Sequence, residues 1–153
     1  MIVGIHHAAI STPDLTKALE FYCGVLGAHE LFVAGWPSGV PHLDDLTALK
    51  DSASKVAMIK LGGTCIELFE YENPVGKPGD PNRPVCDHGY THICLDVKDI
   101  DAEVKRLRDA GATFHSDPVD TGPTMCAYMR DPFGNVIELQ EWKDPNDPMA
   151  LQG

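Results

Sequence analysis

Residues 63–71, Gly-Thr-Cys-Ile-Glu-Leu-Phe-Glu-Tyr, align without a gap with residues 134–142, Gly-Asn-Val-Ile-Glu-Leu-Gln-Glu-Trp. The pattern Ile-Glu-Leu-x-Glu-aromatic therefore occurs twice. A second echo precedes each copy: His-Ala-Ala-Ile-Ser-Thr-Pro-Asp-Leu at 7–15 and His-Ile-Cys-Leu-Asp-Val-Lys-Asp-Ile at 92–100. Each has an aliphatic residue three positions after the His and an Asp seven positions after it, followed by Leu or Ile. Two matches in the same order indicate a duplicated module. A chain built this way folds as two copies of one supersecondary unit.

Each module is expected to open with a strand and continue into a helix. In the first, Thr12 is the predicted cap, with Pro13 in the first turn and Asp14 at the positive end of the helix. Leu15, Ala18, Leu19, Tyr22 and Leu26 recur at three-and-four spacing, and Gly27 supplies the stop. The second helix is expected to cap at Asp99, bury Ile100, Val104 and Leu107, and stop at Gly111. Three strands should follow each helix, near 29–34, 55–61 and 64–71 and near 113–116, 124–130 and 136–142, with Asp131-Pro-Phe-Gly134 turning into the last. The expected organisation is one domain over 1–153: module one at 1–72, a linker at 73–88, module two at 89–143 and a tail at 144–153. Pro74, Pro78, Pro81 and Pro84 mark the linker. His7 and Glu67 lie 60 positions apart but His92 and Glu138 only 46, so module one carries 14 extra residues. That surplus falls in 35–50, which reads as a loop.

Composition narrows the function. The formal charge of −11 repels phosphate backbones and anionic lipid, which argues against nucleic-acid and membrane partners. There is no bilayer-length apolar run and no signal-peptide pattern, so the chain reads as cytoplasmic. The five cysteines, Cys23, Cys65, Cys86, Cys94 and Cys126, form no Cys-x-x-Cys pair. They read as reduced thiols rather than a disulfide framework or a thiolate zinc site.

Alternation along strands separates the polar residues of the repeats from the aliphatic ones. Ile66 and Leu68 take one face of their strand and Glu67 the other; Ile137 and Leu139 oppose Glu138; Ile93 and Leu95 oppose His92. The aliphatic faces suit packing on the helices, which turns His7, Glu67, His92 and Glu138 away from them. Burying a lone carboxylate costs several kcal/mol, and two near one another repel. A divalent cation removes both penalties, and two imidazoles with two carboxylates form a nitrogen–oxygen set suited to Ni, Zn, Co, Mn or Fe. His6 has the wrong parity for this set. His29, His42, His88 and His115 read as ordinary polar histidines.

At these residues the sequence resembles the vicinal oxygen chelate superfamily, which includes glyoxalase I, methylmalonyl-CoA epimerase, fosfomycin-resistance proteins and extradiol dioxygenases. The likeness runs from Ile5 to Trp142. It is most specific in the paired His-(x)6-Asp starts and in the segment Tyr128-Met-Arg-Asp-Pro-Phe-Gly-Asn-Val-Ile-Glu138. The resemblance implies an α+β fold of two tandem βαβββ modules forming an open, cup-shaped mixed sheet with helices outside, usually in a homodimer. It implies one divalent metal ion per site, held by His7, Glu67, His92 and Glu138, and a small-molecule substrate.

A His-Glu-His-Glu set looks like the bacterial-type glyoxalase arrangement, a lyase or isomerase in which a ligand carboxylate shuttles a proton beside a chelated carbonyl. On that reading Glu138 is the base and Glu67 the second choice. The glutathione-using subfamily carries an Arg four residues after its first ligand, where this chain has Ser11, and no Arg occurs before Arg83. An isomerase or epimerase acting on another acid or acyl thioester fits better, with His42, Asp44 or Asp45 as possible second bases. A rival enzyme reading uses Tyr128, similar to the phenol near the metal in extradiol dioxygenases, with Fe(II) held by His7, His92 and Glu138. A third reading is a resistance-type protein that binds a small molecule without chemistry, although such relatives generally lack the ligand set.

Overall fold

The computed structural model describes residues 1–151; the last two residues of the expected tail lie outside the described residues. The chain divides into two units, Met1–Pro78 and Gly79–Gly153.

The first unit runs β1 (His7–Ser11), α1 (Leu15–Leu19), β2 (His29–Trp36), α2 (Pro41–Thr47), β3 (Ala53–Leu61) and β4 (Thr64–Asn73). Its sheet has the order β1-β4-β3-β2, with β1 parallel to β4 and the other neighbours antiparallel. The second unit runs β5 (His92–Asp96), α3 (Ile100–Asp109), β6 (Thr113–Phe114), β7 (Val119–Asp120), β8 (Thr124–Arg130) and β9 (Val136–Trp142). Its order is β5-β9-β8-β6, with β5 parallel to β9 and β7 paired to β8. The fold is α+β, two βαβββ modules with mixed sheets. A parallel first and last strand requires a crossover, and the intervening helix and strands supply it.

Helices α1 and α3 each pack on the aliphatic face of their own sheet. Ile59 and Leu68 in the first unit, and Leu107, Ile137 and Leu139 in the second, are at most 1% exposed. Each such side chain contributes roughly 1.5–3 kcal/mol by leaving water. The predicted stripe Ile100, Val104 and Leu107 is buried, and α3 caps at Asp99, whose carboxylate accepts the N–H of Ala102.

Three local expectations are corrected. Asp14, not Thr12, caps α1: its Oδ1 accepts the N–H of Lys17 at 2.9 Å, while the Thr12 hydroxyl donates to the Phe69 carbonyl. After Leu19 the helix widens into a π-helical stretch, Glu20–Val25, closed by Leu26 N–H on the Phe21 carbonyl. The wider turn brings Phe21 and Tyr22 both inside, and leaves Leu19 and Leu26 only partly covered. The surplus segment is not plain loop, because it forms α2. This helix has no buried residue and is held from its flank: Asp44 accepts the backbone N–H groups of Asp51 and Ser52 at 2.9 and 2.7 Å.

Part of the proline-rich stretch is also fixed. Arg130 donates to the carbonyls of Gly134 and Arg83, which ties that stretch to the turn before β9. Gly134 has φ +91°, and a Cβ there would stand 2.3 Å from Cα of Pro81.

Candidate active site

In the first unit, register places Cys65 opposite His7 and Glu67 opposite Ala9, so His7 and Glu67 lie on one face in adjacent rows. Nε2 of His7 is 3.2 Å from Oε2 of Glu67. Nδ1 of the same ring shares a hydrogen with Nδ1 of His6 at 2.8 Å, which leaves Nε2 to the carboxylate. His6 thus orients the pair from outside it.

The second unit repeats the arrangement. Nε2 of His92 lies 3.0 Å from Oε2 of Glu138, and Nδ1 bonds the Thr91 hydroxyl at 2.9 Å. All four side chains are partly exposed, Glu138 least at 16%. Within each unit the pair stands without a third His, Cys, Asp or Glu close enough to complete a cluster of three, among the described residues.

A facing imidazole nitrogen and carboxylate oxygen at this distance make a direct polar contact that needs no ion. They also fit one. Two donors each about 2.1 Å from a divalent ion, at a right angle, stand about 3 Å apart. Each pair therefore offers a nitrogen and an oxygen at chelating separation, with the remaining imidazole nitrogen already anchored, as ligating histidines require. The donor set fits a borderline divalent metal.

The surroundings of the two carboxylates differ. Glu67 has Ala9 and Met58 as cross-strand partners, whereas Glu138 has Cys94 and Tyr128. Burial, then the charge of Glu138, pushes the Cys94 thiol up to about 12, so it is a neutral donor near neutral pH. Burial and the same carboxylate raise Cys126 and Tyr128 as well. None of the three is a ready nucleophile.

Tyr128 also packs against His92, with ring centroids 5.1 Å apart, and against His115 at 6.0 Å. Burial and then Arg130 hold His115 below the usual imidazole value, so it is a neutral ring on the face of Glu138. Spacing alone marks it as ordinary; its place opposite Tyr128, whose carbonyl accepts its backbone N–H at 2.8 Å, depends on a short strand, β6, that carries no pattern. Asp44 is corrected as a base: the Ser52 side chain, then the Ser52 N–H and the Asp51 N–H, hold it below the usual carboxylate range as a loop anchor. His42 and Asp45 are exposed on α2. A groove of about 390 Å³ lies along α3, where Arg108 pairs with Asp117 and Lys105 with Asp109.

Residues 4–139 match the model of the Glyoxalase/Bleomycin resistance protein/Dioxygenase superfamily. The chain belongs to that superfamily. Among its glyoxalase-superfamily relatives, the 2-epi-5-epi-valiolone epimerase of Actinomyces sp is 34% identical, the match covering 90% of this chain and 78% of the relative. A probable lactoylglutathione lyase of Synechocystis sp. is 30% identical, over 92% and 97%. An ethylmalonyl-CoA/methylmalonyl-CoA epimerase of Cereibacter sphaeroides is 32% identical, over 92% and 99%. Among solved structures, a glyoxalase family protein from Bacillus cereus superposes with a TM-score of 0.83 at 24% identity, covering 93% of this chain and 95% of that one. Its likeness concerns the glyoxalase fold. Among the described residues, no helix is long and apolar enough to cross a membrane.

Proposed function

We propose that this chain is a divalent-metal-dependent enzyme of the isomerase or epimerase kind, moving a proton on the carbon beside a carbonyl of a small substrate. His7, Glu67, His92 and Glu138 are its metal ligands. The observation that carries the reading is the repeated pair: Nε2 faces Oε2 at 3.2 Å in one unit and 3.0 Å in the other, at matching positions of a duplicated motif.

His7, Glu67, His92 and Glu138 would hold the metal ion, which when bound would supply Lewis acidity to a substrate carbonyl and so make the adjacent C–H more acidic. Glu138 is the base. Its carboxylate oxygen takes the proton, and the electron pair of the broken C–H bond moves toward the carbonyl. Return of a proton to the opposite face inverts the carbon: Glu67, at the matching position and entering as the protonated acid, delivers it. Exchange with solvent then removes the proton from Glu138 and restores that of Glu67. Cys94, the cross-strand partner of Glu138, and Cys126 are neutral thiols near that carboxylate and do not compete as nucleophiles. The Tyr128 hydroxyl, protonated near neutral pH, is available to donate to a substrate oxygen.

Epimerisation is favoured over the glutathione-dependent reaction because Ser11 stands where a carboxylate-binding Arg would be expected, and two of the three relatives above are named as epimerases. The test is hydrogen exchange in heavy water, read by NMR on acyl-CoA epimers, hydroxylated ketones and hemithioacetals. Deuterium incorporation beside the carbonyl, lost with chelator and restored by Mn, Co or Ni, is expected. Failure of every class to exchange with metal-loaded protein overturns the reading. The ring contact between Tyr128 and His92 keeps one rival in view, an extradiol dioxygenase; oxygen uptake with catechols would establish it instead.

A further inference from the structure

The Glu67 face of the first unit continues along β4 through Phe69 and Tyr71, and these rings are met by Trp36 at the end of β2. Phe69 and Tyr71 lie nearly parallel, centroids 5.5 Å apart and planes 23° from one another. Trp36 stands edge-on to both, at 6.2 and 6.1 Å with planes 77° and 85° away. The three form a right-angled corner of aromatic rings, each partly exposed. Register makes the corner one surface with the candidate base: Trp36 pairs with Ser54, which pairs with Tyr71, and Val56 pairs with Phe69 as Met58 does with Glu67.

The 14 extra residues of module one bear directly on this corner. The indole N–H of Trp36 donates to the Ser52 hydroxyl at 3.1 Å, and the backbone N–H of Ser52 donates to Asp44 on α2 at 2.7 Å. The insertion thereby fixes the indole in its edge-on pose. Among the described residues, module two shows no such corner. Gln140 occupies the position of Phe69 and is closed by its own bond to Asp96 at 2.9 Å.

Charge limits what the corner accepts. In the rows of Glu67, Phe69 and Tyr71, the cross-strand partners are Met58, Val56 and Ser54 on β3, and Ala9 and Ser11 on β1. None is a cation. Lys60 sits in the row of Cys65, on the other side of Glu67 from the rings. A phosphate or carboxylate placed over the corner would lose its hydration without a counter-charge, beside a carboxylate that repels it. A saturated ring bearing hydroxyls suits the surface: its C–H faces pack on aromatic faces, while its hydroxyl edge meets the Tyr71 hydroxyl and the Glu67 carboxylate.

We propose that Trp36, Phe69 and Tyr71 form the substrate-binding wall for a neutral, hydroxylated ring ketone, and that the α2 insertion exists to hold Trp36 in that wall. This rests on the proton-transfer reading of the site, since the ring must offer a C–H beside its carbonyl.

The test is binding, separate from turnover. The chain has two Trp, so Trp142→Phe leaves Trp36 as the sole indole reporter. With saturating zinc, a pentahydroxycyclohexanone is titrated against propionyl-coenzyme A. Quenching of Trp36 by the ring ketone is expected, with affinity reduced at least about tenfold in Phe69→Leu and Tyr71→Leu. Should those variants fail to fold by circular dichroism, Ser52→Ala, which frees the indole without touching the rings, is expected to weaken the ketone several-fold. Equal ketone affinity in the parent and in whichever of these variants fold overturns the proposal. So does absence of quenching, or tighter binding of propionyl-coenzyme A. Ketone binding without hydrogen exchange would sink the proton-transfer reading and leave the wall standing. Exchange on an acyl-coenzyme A alone would do the reverse.

Discussion

Glu70 accepts the backbone N–H of Leu15 through Oε2 at 2.7 Å, a carboxylate of β4 closing the start of α1 from 55 residues away. Glu141 does the same in the second unit, taking the N–H groups of Asp99 and Ile100 at 2.7 and 3.1 Å at the start of α3. The duplicated Ile-Glu-Leu-x-Glu motif thus divides its two carboxylates by parity. Glu67 and Glu138 face away from the helices, while Glu70 and Glu141 turn toward them and cap them.

Replacing either cap by Ala is expected to cost about 1 kcal/mol, or a few degrees of melting temperature in a chain of this size, with metal binding unchanged. Lys55, and then the Leu15 N–H, hold Glu70 below the usual carboxylate value. A lowered native value means that the stabilisation is complete at neutral pH. It drains away as pH falls from the ordinary carboxylate value through the depressed one. Glu70→Gln should therefore flatten the acid side of a melting-temperature profile. A profile superimposable on the parent's would remove the assigned role.

The repeats, the α3 stripe and the shared face of His7 with Glu67 and of His92 with Glu138 were legible because they depend on local periodicity; the short extra strand β7, which makes four strands after α3 where three were expected, was not. Caps supplied by Glu70 and Glu141 were not, since each acts across 41 or more residues and no local pattern encodes that reach. The helix in the surplus segment was hidden for a related reason. It buries nothing, so it lacks an apolar stripe, and its anchor is the Asp44 contact with Ser52. The π-helical widening that puts Phe21 and Tyr22 both inside also leaves no periodic trace. The Trp36 corner required knowing which residue of β2 ends opposite Ser54, a register visible only once the strands are paired.

Gly134→Ala tests the turn that leads into Glu138. The site needs positive φ, and an added Cβ would collide with Pro81 backbone. Both effects oppose folding, so a loss of at least about 2 kcal/mol is expected, measured by urea denaturation. Stability equal to the parent would mean that the Pro81 segment does not rest on the turn.

Glu67→Ala and Glu138→Ala should each weaken Mn or Ni binding by more than about a hundredfold, since losing a ligand exceeds the tenfold to hundredfold cost of losing an outer hydrogen bond. Calorimetric titration reads this directly. Full retention in Glu67→Ala would instead support three ligands, His7, His92 and Glu138, and with them oxygen chemistry.

Cys94 provides an independent reading of the electrostatics around Glu138. The residue is exposed, yet desolvation of its sulfur and the neighbouring carboxylate push the thiol up to about 12. Thiolate is the species that alkylates. In metal-free protein at pH 8, iodoacetamide should therefore label exposed Cys86 well before Cys94, as followed by peptide mass spectrometry. Glu138→Gln removes the second-largest cause of the shift but not the first, so Cys94 labelling should rise several-fold without reaching the rate at Cys86. Labelling of Cys94 as fast as Cys86 in the parent would mean that its sulfur is not held against the Glu138 carboxylate, and the thiol contacts assigned to that carboxylate would fall with it.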